Sequence, residues 1–134
     1  MVIWITGLSG SGKSTIGRAV WQRWRETASN TVLVDGDEIR DALGLNDDGY
    51  FYTLEGRREV AHRISGLCRW LDNQQINVVC CTISLFEEVH RCNREDLSDY
   101  FEIFIDVPMD VLKMRDLKKL YDGSQPNVVG VDIP

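Results

Sequence analysis

Two short runs carry residue types at spacings that suit phosphoryl chemistry. The first, GLSGSGKST, spans Gly7–Thr15 and matches the phosphate-loop pattern G-x-x-x-x-G-K-[ST] at Gly7, Gly12, Lys13 and Ser14. Glycines at 7, 10 and 12 let the backbone curl without Cβ clashes, so that successive N–H groups point inward. A helix starting near Lys13 adds its positive N-terminal end. Lys13 is then expected to reach the β- and γ-phosphates, and the Ser14 hydroxyl to coordinate Mg²⁺. The spacing predicts a Mg–nucleoside triphosphate site built from Gly7, Ser9, Gly10, Ser11, Gly12, Lys13, Ser14 and Thr15.

The second run is Asp35-Gly36-Asp37. Its carboxylates project to one side of an extended backbone, and Gly36 permits close approach of a ligand. One carboxylate can hold a Mg-bound water while the other orients or deprotonates an acceptor hydroxyl. Asp35 suits the metal's water shell with Ser14, and Asp37 the acceptor, although the pattern also allows the reverse. Lys13, Asp35 and Asp37 form the expected catalytic set. An Asx-rich turn in which Asp37 caps a helix over 38–43 is an alternative that can hold alongside it.

Elements able to position these runs alternate along the chain. Val2–Ile5 leads into the loop, and Ile16, Ala19, Val20 and Trp24 make one helical face after it. Thr31–Val34, Ile76–Cys81 and Phe101–Val107 each suit a buried parallel strand. Leu54–Leu71 carries a stripe of Val60, Ile64, Leu67 and Leu71 at helical spacing. Phe86–Ser98 is a weaker helical pattern, and Met109–Leu120 a further one with Pro108 at its start. This order predicts an α/β fold of the P-loop NTPase type, a parallel sheet flanked by helices on both faces. Ligands in such folds sit at the carboxyl ends of the strands. Residues 44–49 and 122–130 read as loops, and the chain reads as one domain over 1–134.

Composition narrows the partners. The chain has 134 residues, 43% hydrophobic and 27% charged, as in ordinary soluble globular proteins. No apolar run reaches membrane-spanning length, and the N-terminus lacks the features of a signal peptide, so cytoplasm is the expected location. A net charge of −6 argues against a nucleic-acid partner, so an anionic substrate must be held by local positive charge. Cys68, Cys80, Cys81 and Cys92 form no C-x-x-C pair and read as reduced, partly buried thiols, with Cys80 and Cys81 on opposite faces of a strand. His62 and His90 are expected on helix surfaces. A GTPase would need N-K-x-D after a strand; Asn93–Asp96 reads NRED but falls inside a helical pattern.

GLSGSGKST, DGDEIRDALG (Asp35–Gly44), RDLKKLY (Arg115–Tyr121) and NVVGVDIP (Asn127–Pro134) together resemble adenylylsulfate kinase in order and spacing over nearly the whole chain. The resemblance implies transfer of the ATP γ-phosphate to the ribose 3′-hydroxyl of adenylylsulfate. It implies that Asp37 and Arg40 touch the acceptor nucleotide, that Tyr52 stacks on its base and that Arg57 grips its phosphosulfate. It matches Ser84 to a serine of the family's I-S-P-Y segment, and Arg115 and Lys118 to a lid near ATP. It also implies a possible homodimer. Taken without the resemblance, Arg40 and Arg57 also read as solvated helix arginines, Tyr52 as a core aromatic and Ser84 as a helix cap.

Four departures from the family pattern fall mostly on the acceptor side. Val60 replaces an asparagine, Glu87 an arginine and Gly56 an aspartate, and the chain stops at Pro134 where the family continues through another strand and helix. A Glu87 pointing inward would repel a sulfate group. A kinase for a related acceptor such as cytidine diphosphoramidate, and a nucleotide-binding module without catalysis, are therefore the alternative functions.

Overall fold

The computed structural model describes residues 1–47 and 49–114. Its elements run β1 (Val2–Gly7), α1 (Lys13–Thr27), β2 (Thr31–Asp35), α2 (Gly36–Ala42), a 3₁₀ turn (Gly49–Tyr52), α3 (Leu54–Asp72), β3 (Asn77–Thr82), α4 (Glu87–Asp96), β4 (Tyr100–Ile105) and α5 (Met109–Met114). The expected lid residues Arg115 and Lys118, the helical pattern past Met114 and the 122–130 loop lie outside the described residues.

The strands pair in parallel in the order β2-β3-β1-β4. Ile5 of β1 lies opposite Cys81 of β3 on one side and Ile103 of β4 on the other. The two-residue period of a strand divides the core into two layers. Val2, Trp4, Val34, Val78 and Cys80 face one way and pack with Val60, Ala61, Ile64 and Cys68 of α3 and Val89 of α4. Ile5, Val79 and Cys81 face the other way and pack with Val20, Trp21 and Trp24 of α1. Helices thus cover both faces, and the adjacent cysteines separate as expected. Each fully buried Val or Ile in these layers contributes about 1.5–3 kcal/mol.

The structure revises several details. Helix α1 turns Gly17, Val20, Trp21 and Trp24 inward, while Ile16 and Ala19 lie exposed. The reason is Gly17: a Cβ there would overlap the Cys81 Sγ, so α1 lies directly on β3 along a glycine. β4 is not a buried strand. It lies at the edge of the described sheet with Phe101 and Phe104 each 52% exposed. His90 is buried, edge-on to the Trp4 ring at 6.4 Å, rather than on a helix surface.

Candidate active site

β1 delivers the chain to Gly7 at the carboxyl end of the sheet, and α1 carries it away from Lys13. In between, Gly10 and Gly12 hold φ of 82° and 92°, the left-handed region where a side chain is costly. A Cβ at Gly7 would stand 2.7 Å from Ser11 Oγ and 3.2 Å from the Ile105 carbonyl oxygen. Gly12 is the N-cap of α1, and no side chain caps that terminus. The Ser11 hydroxyl is buried without a hydrogen bond to any described residue. A buried, unused hydroxyl is costly unless a ligand or water meets it.

The end of β2 reaches this loop through one carboxylate. Ser14 Oγ donates to Asp35 Oδ2 at 2.9 Å. Asp35 Oδ1 accepts from the backbone N–H of Asp37 at 3.0 Å and of Glu38 at 3.4 Å. The N-cap of the second helix is therefore Asp35, not Asp37: the helix begins two residues earlier than the spacing suggested, so Asp37 falls within the first turn of α2. The Ser14 hydroxyl and Asp35 carboxylate are hard oxygen donors side by side, a set that fits Mg²⁺ with its remaining sites filled by water and phosphate. Cys81 lies behind them; burial and Asp35 push its thiol up to about 11, with Lys13 and Arg18 opposing.

A second cluster lies further along α2 and the turn that follows. Arg40 donates from Nη2 to the Phe51 carbonyl at 3.0 Å, with its Cζ 4.5 Å from the centre of the Tyr52 ring. Arg57 donates from Nε to the Tyr52 carbonyl at 3.0 Å, and its Cζ lies 5.6 Å from the same ring. Tyr52 is 41% exposed, so it is no core aromatic, and its hydroxyl donates to Asn46 Oδ1. Burial, and then the like charge of Arg40, lower the Arg57 pKa from its usual value. Arg40 Nη1 is buried without a hydrogen bond to any described residue. Two crowded guanidinium groups with an unused buried N–H favour an anion between or beside them.

Ser84 follows β3 in an irregular segment. Its carbonyl accepts from Thr6 Oγ1 at 2.9 Å and contacts His90 Nε2 at 3.2 Å. Since a carbonyl only accepts, that nitrogen carries the proton. The Ser84 hydroxyl is buried without a hydrogen bond to any described residue. It does not cap the next helix, whose N-cap is Phe86.

The departures have physical readings. Val60 is 3% exposed and belongs to the core layer under α3. The Glu87 side chain is 71% exposed and its Oε1 accepts from Arg94 Nη1 at 3.0 Å, so it points outward. Gly56 is buried against the 3₁₀ turn. Two residues carried no signal in the sequence: Asn46, which holds the Tyr52 hydroxyl, and Thr6, which holds the Ser84 carbonyl together with His90, expected on a helix surface. Thr6 and Ser84 are 78 positions apart, and no local pattern signals such a pairing.

The adenylylsulphate kinase family model matches residues 1–134. The chain belongs to the adenylylsulphate kinase family. It is a kinase, a phosphotransferase to a hydroxyl acceptor, of α/β fold with a P-loop. The chain is 40% identical to the cytidine diphosphoramidate kinase of Campylobacter jejuni, covering 98% of this chain and 78% of that one. It is 38% identical to the adenylyl-sulfate kinase of Clostridium acetobutylicum, covering 99% and 68%. Among solved structures, the Mycobacterium tuberculosis APS kinase in complex with AMPPNP and APS superposes with a TM-score of 0.82 at 31% identity, covering 99% of this chain and 80% of that one. No helix among the described residues is long and apolar enough to cross a membrane.

Proposed function

We propose that this family member transfers the γ-phosphate of ATP to the 3′-hydroxyl of adenylylsulfate, forming 3′-phosphoadenylylsulfate, a step of sulfate assimilation. The observation that carries this reading is the Arg40–Tyr52–Arg57 stack on the segment that continues from the P-loop's partner Asp35. The stack offers an aromatic face for a base and two guanidinium groups for a phosphosulfate.

In this reading the loop amides and Lys13 hold the triphosphate. Ser14 and Asp35 hold Mg²⁺, which when bound neutralises charge on the phosphate oxygens. Asp37 contacts the acceptor hydroxyl and takes its proton as the oxygen attacks the γ-phosphorus in line and ADP leaves. Arg40 and Arg57 orient the acceptor, and the buried Ser84 hydroxyl donates to it. Arg115 and Lys118 serve as the ATP lid.

A second acceptor, cytidine diphosphoramidate, is favoured by a specific pair of observations. Val60 lies in the core where the family offers an amide, and the 40%-identical relative acts on that nucleotide. Both acceptors present an anionic 5′ group to the same arginines. An ATP-consumption assay with each acceptor tests the reading. Turnover on adenylylsulfate supports it, turnover on cytidine diphosphoramidate alone selects the second acceptor, and ATP binding without turnover on either overturns both.

A further inference from the structure

Helix α3 carries a glycine in its first turn, directly before Arg57. Glycine in a helix costs about 0.5–1 kcal/mol relative to alanine, so its presence at a buried position calls for a spatial reason. The reason is the preceding turn. A Cβ on Gly56 would overlap the Tyr50 carbonyl oxygen and lie 2.6 Å from Phe51 Cα. These atoms are backbone and cannot swing aside. The Tyr50 carbonyl is also tied down, accepting from Thr53 Oγ1 at 2.6 Å and Thr53 N–H at 3.0 Å. Any side chain at 56 must therefore lift the 3₁₀ turn away from α3.

That turn builds the stack. The Phe51 carbonyl anchors Arg40, the Tyr52 carbonyl anchors Arg57, and the Tyr52 ring lies against both guanidinium groups. Lifting the turn moves both carbonyls and the ring together, while Ser14, Asp35 and the phosphate loop are held by other elements. We propose that Gly56 is a specificity-determining position: by admitting the turn onto α3 it sets the spacing of the Arg40–Tyr52–Arg57 stack and so selects the acceptor nucleotide without affecting ATP. Gly56 acts through the turn and is a positioning residue. The inference rests on the acceptor role of the stack given under Proposed function.

The same helix supplies a control. Gly66 has open space where a Cβ would stand, so alanine there removes the helix cost and meets nothing. The test compares the wild type with Gly66→Ala and with Gly56→Ala placed in the Gly66→Ala background, which offsets loss of stability. Steady-state kinetics with adenylylsulfate and cytidine diphosphoramidate is expected to show the KM of the preferred acceptor raised about tenfold or more by Gly56→Ala and the ratio of kcat/KM between the two acceptors changed, with the KM for ATP changed less than about twofold. Gly66→Ala is expected to leave both at wild-type values. Equal rises in the KM for acceptor and for ATP, no rise in either, or an unchanged kcat/KM ratio between the two acceptors would overturn the proposal. A crystal structure of the double variant supplies a reading independent of turnover. The 3₁₀ turn should stand off α3 far enough to reach the ordinary contact distance of at least 3.4 Å; a turn left in place would equally overturn it. If the wild type phosphorylates neither acceptor, the proposed function has failed, and the displacement of the turn still decides the structural half of the inference.

Discussion

Ser14 on the first turn of α1 donates to Asp35 at the end of β2 at 2.9 Å, while the other Asp35 oxygen caps α2. One carboxylate thus joins the phosphate loop to the helix that carries Asp37 and Arg40. Asp35→Asn keeps an N-cap acceptor, so thermal stability is expected to change by less than about 0.5 kcal/mol. The kinase rate is expected to fall by about a hundredfold and to demand more Mg²⁺. A Mg²⁺ titration of turnover in both proteins checks this.

Lys13→Ala is expected to lower the kinase rate by about a hundredfold to a thousandfold, because a fixed charge at the transferring phosphate is removed. The fold is expected to remain, since Lys13 begins α1 and lies outside the two core layers. Full activity in the variant would refute the assignment; circular dichroism confirms that the helices persist.

Arg57→Ala is expected to raise acceptor KM by about tenfold to a hundredfold, the size of a charged hydrogen bond, with little effect on ATP. The Tyr52 carbonyl also loses its anchor. Equal losses for both ligands in steady-state kinetics would count against this placement.

Thiol labelling follows burial. Cys68, Cys80 and Cys81 are buried and Cys92 is partly exposed. Burial holds the Cys80 thiol well above its usual value and Cys81 at about 11. At about pH 7.5 a disulfide reagent is expected to label Cys92 in the native protein and all four thiols after unfolding. Mass spectrometry of labelled peptides assigns them.

Asp72 gives an acid dependence of stability. Burial alone would raise its carboxyl, but the Ser98 N–H and hydroxyl and the Met1 amino group together hold it below the usual value. A depressed carboxyl contributes stability above its unfolded value of about 3.9, and that contribution is lost as pH falls through the lower folded value. Asp72→Ala is expected to cost about 1–2 kcal/mol near neutral pH, since it removes the buried acceptor shared by the Ser98 N–H, the Ser98 hydroxyl and the Met1 amino group. Denaturant melts of both proteins should converge as the pH is lowered through that window.

Much of the donor side was legible because its determinants are local. The phosphate loop needs glycines at fixed offsets and a strand and helix on either side, all within consecutive residues. The stripe Val60, Ile64, Leu67 and Leu71 packs on the core of the sheet as helical spacing predicts. The α1 face shifted because Gly17, not an apolar side chain, makes the close approach to β3. β4 reads as a buried strand from its apolar run, yet position at a sheet edge is a property of strand order, which residue types within the strand do not encode.

The sequence by itself determined the family, the parallel α/β plan and the triphosphate loop, since each is carried by short-range backbone preferences and periodicity. Tertiary structure alone decided that Asp35 bonds Ser14 directly while capping α2, that Tyr52 lies against two guanidinium groups, and that Gly56 holds a turn close enough to build that stack. These relations depend on the approach of segments from different elements, and such distances are set by packing of the whole core.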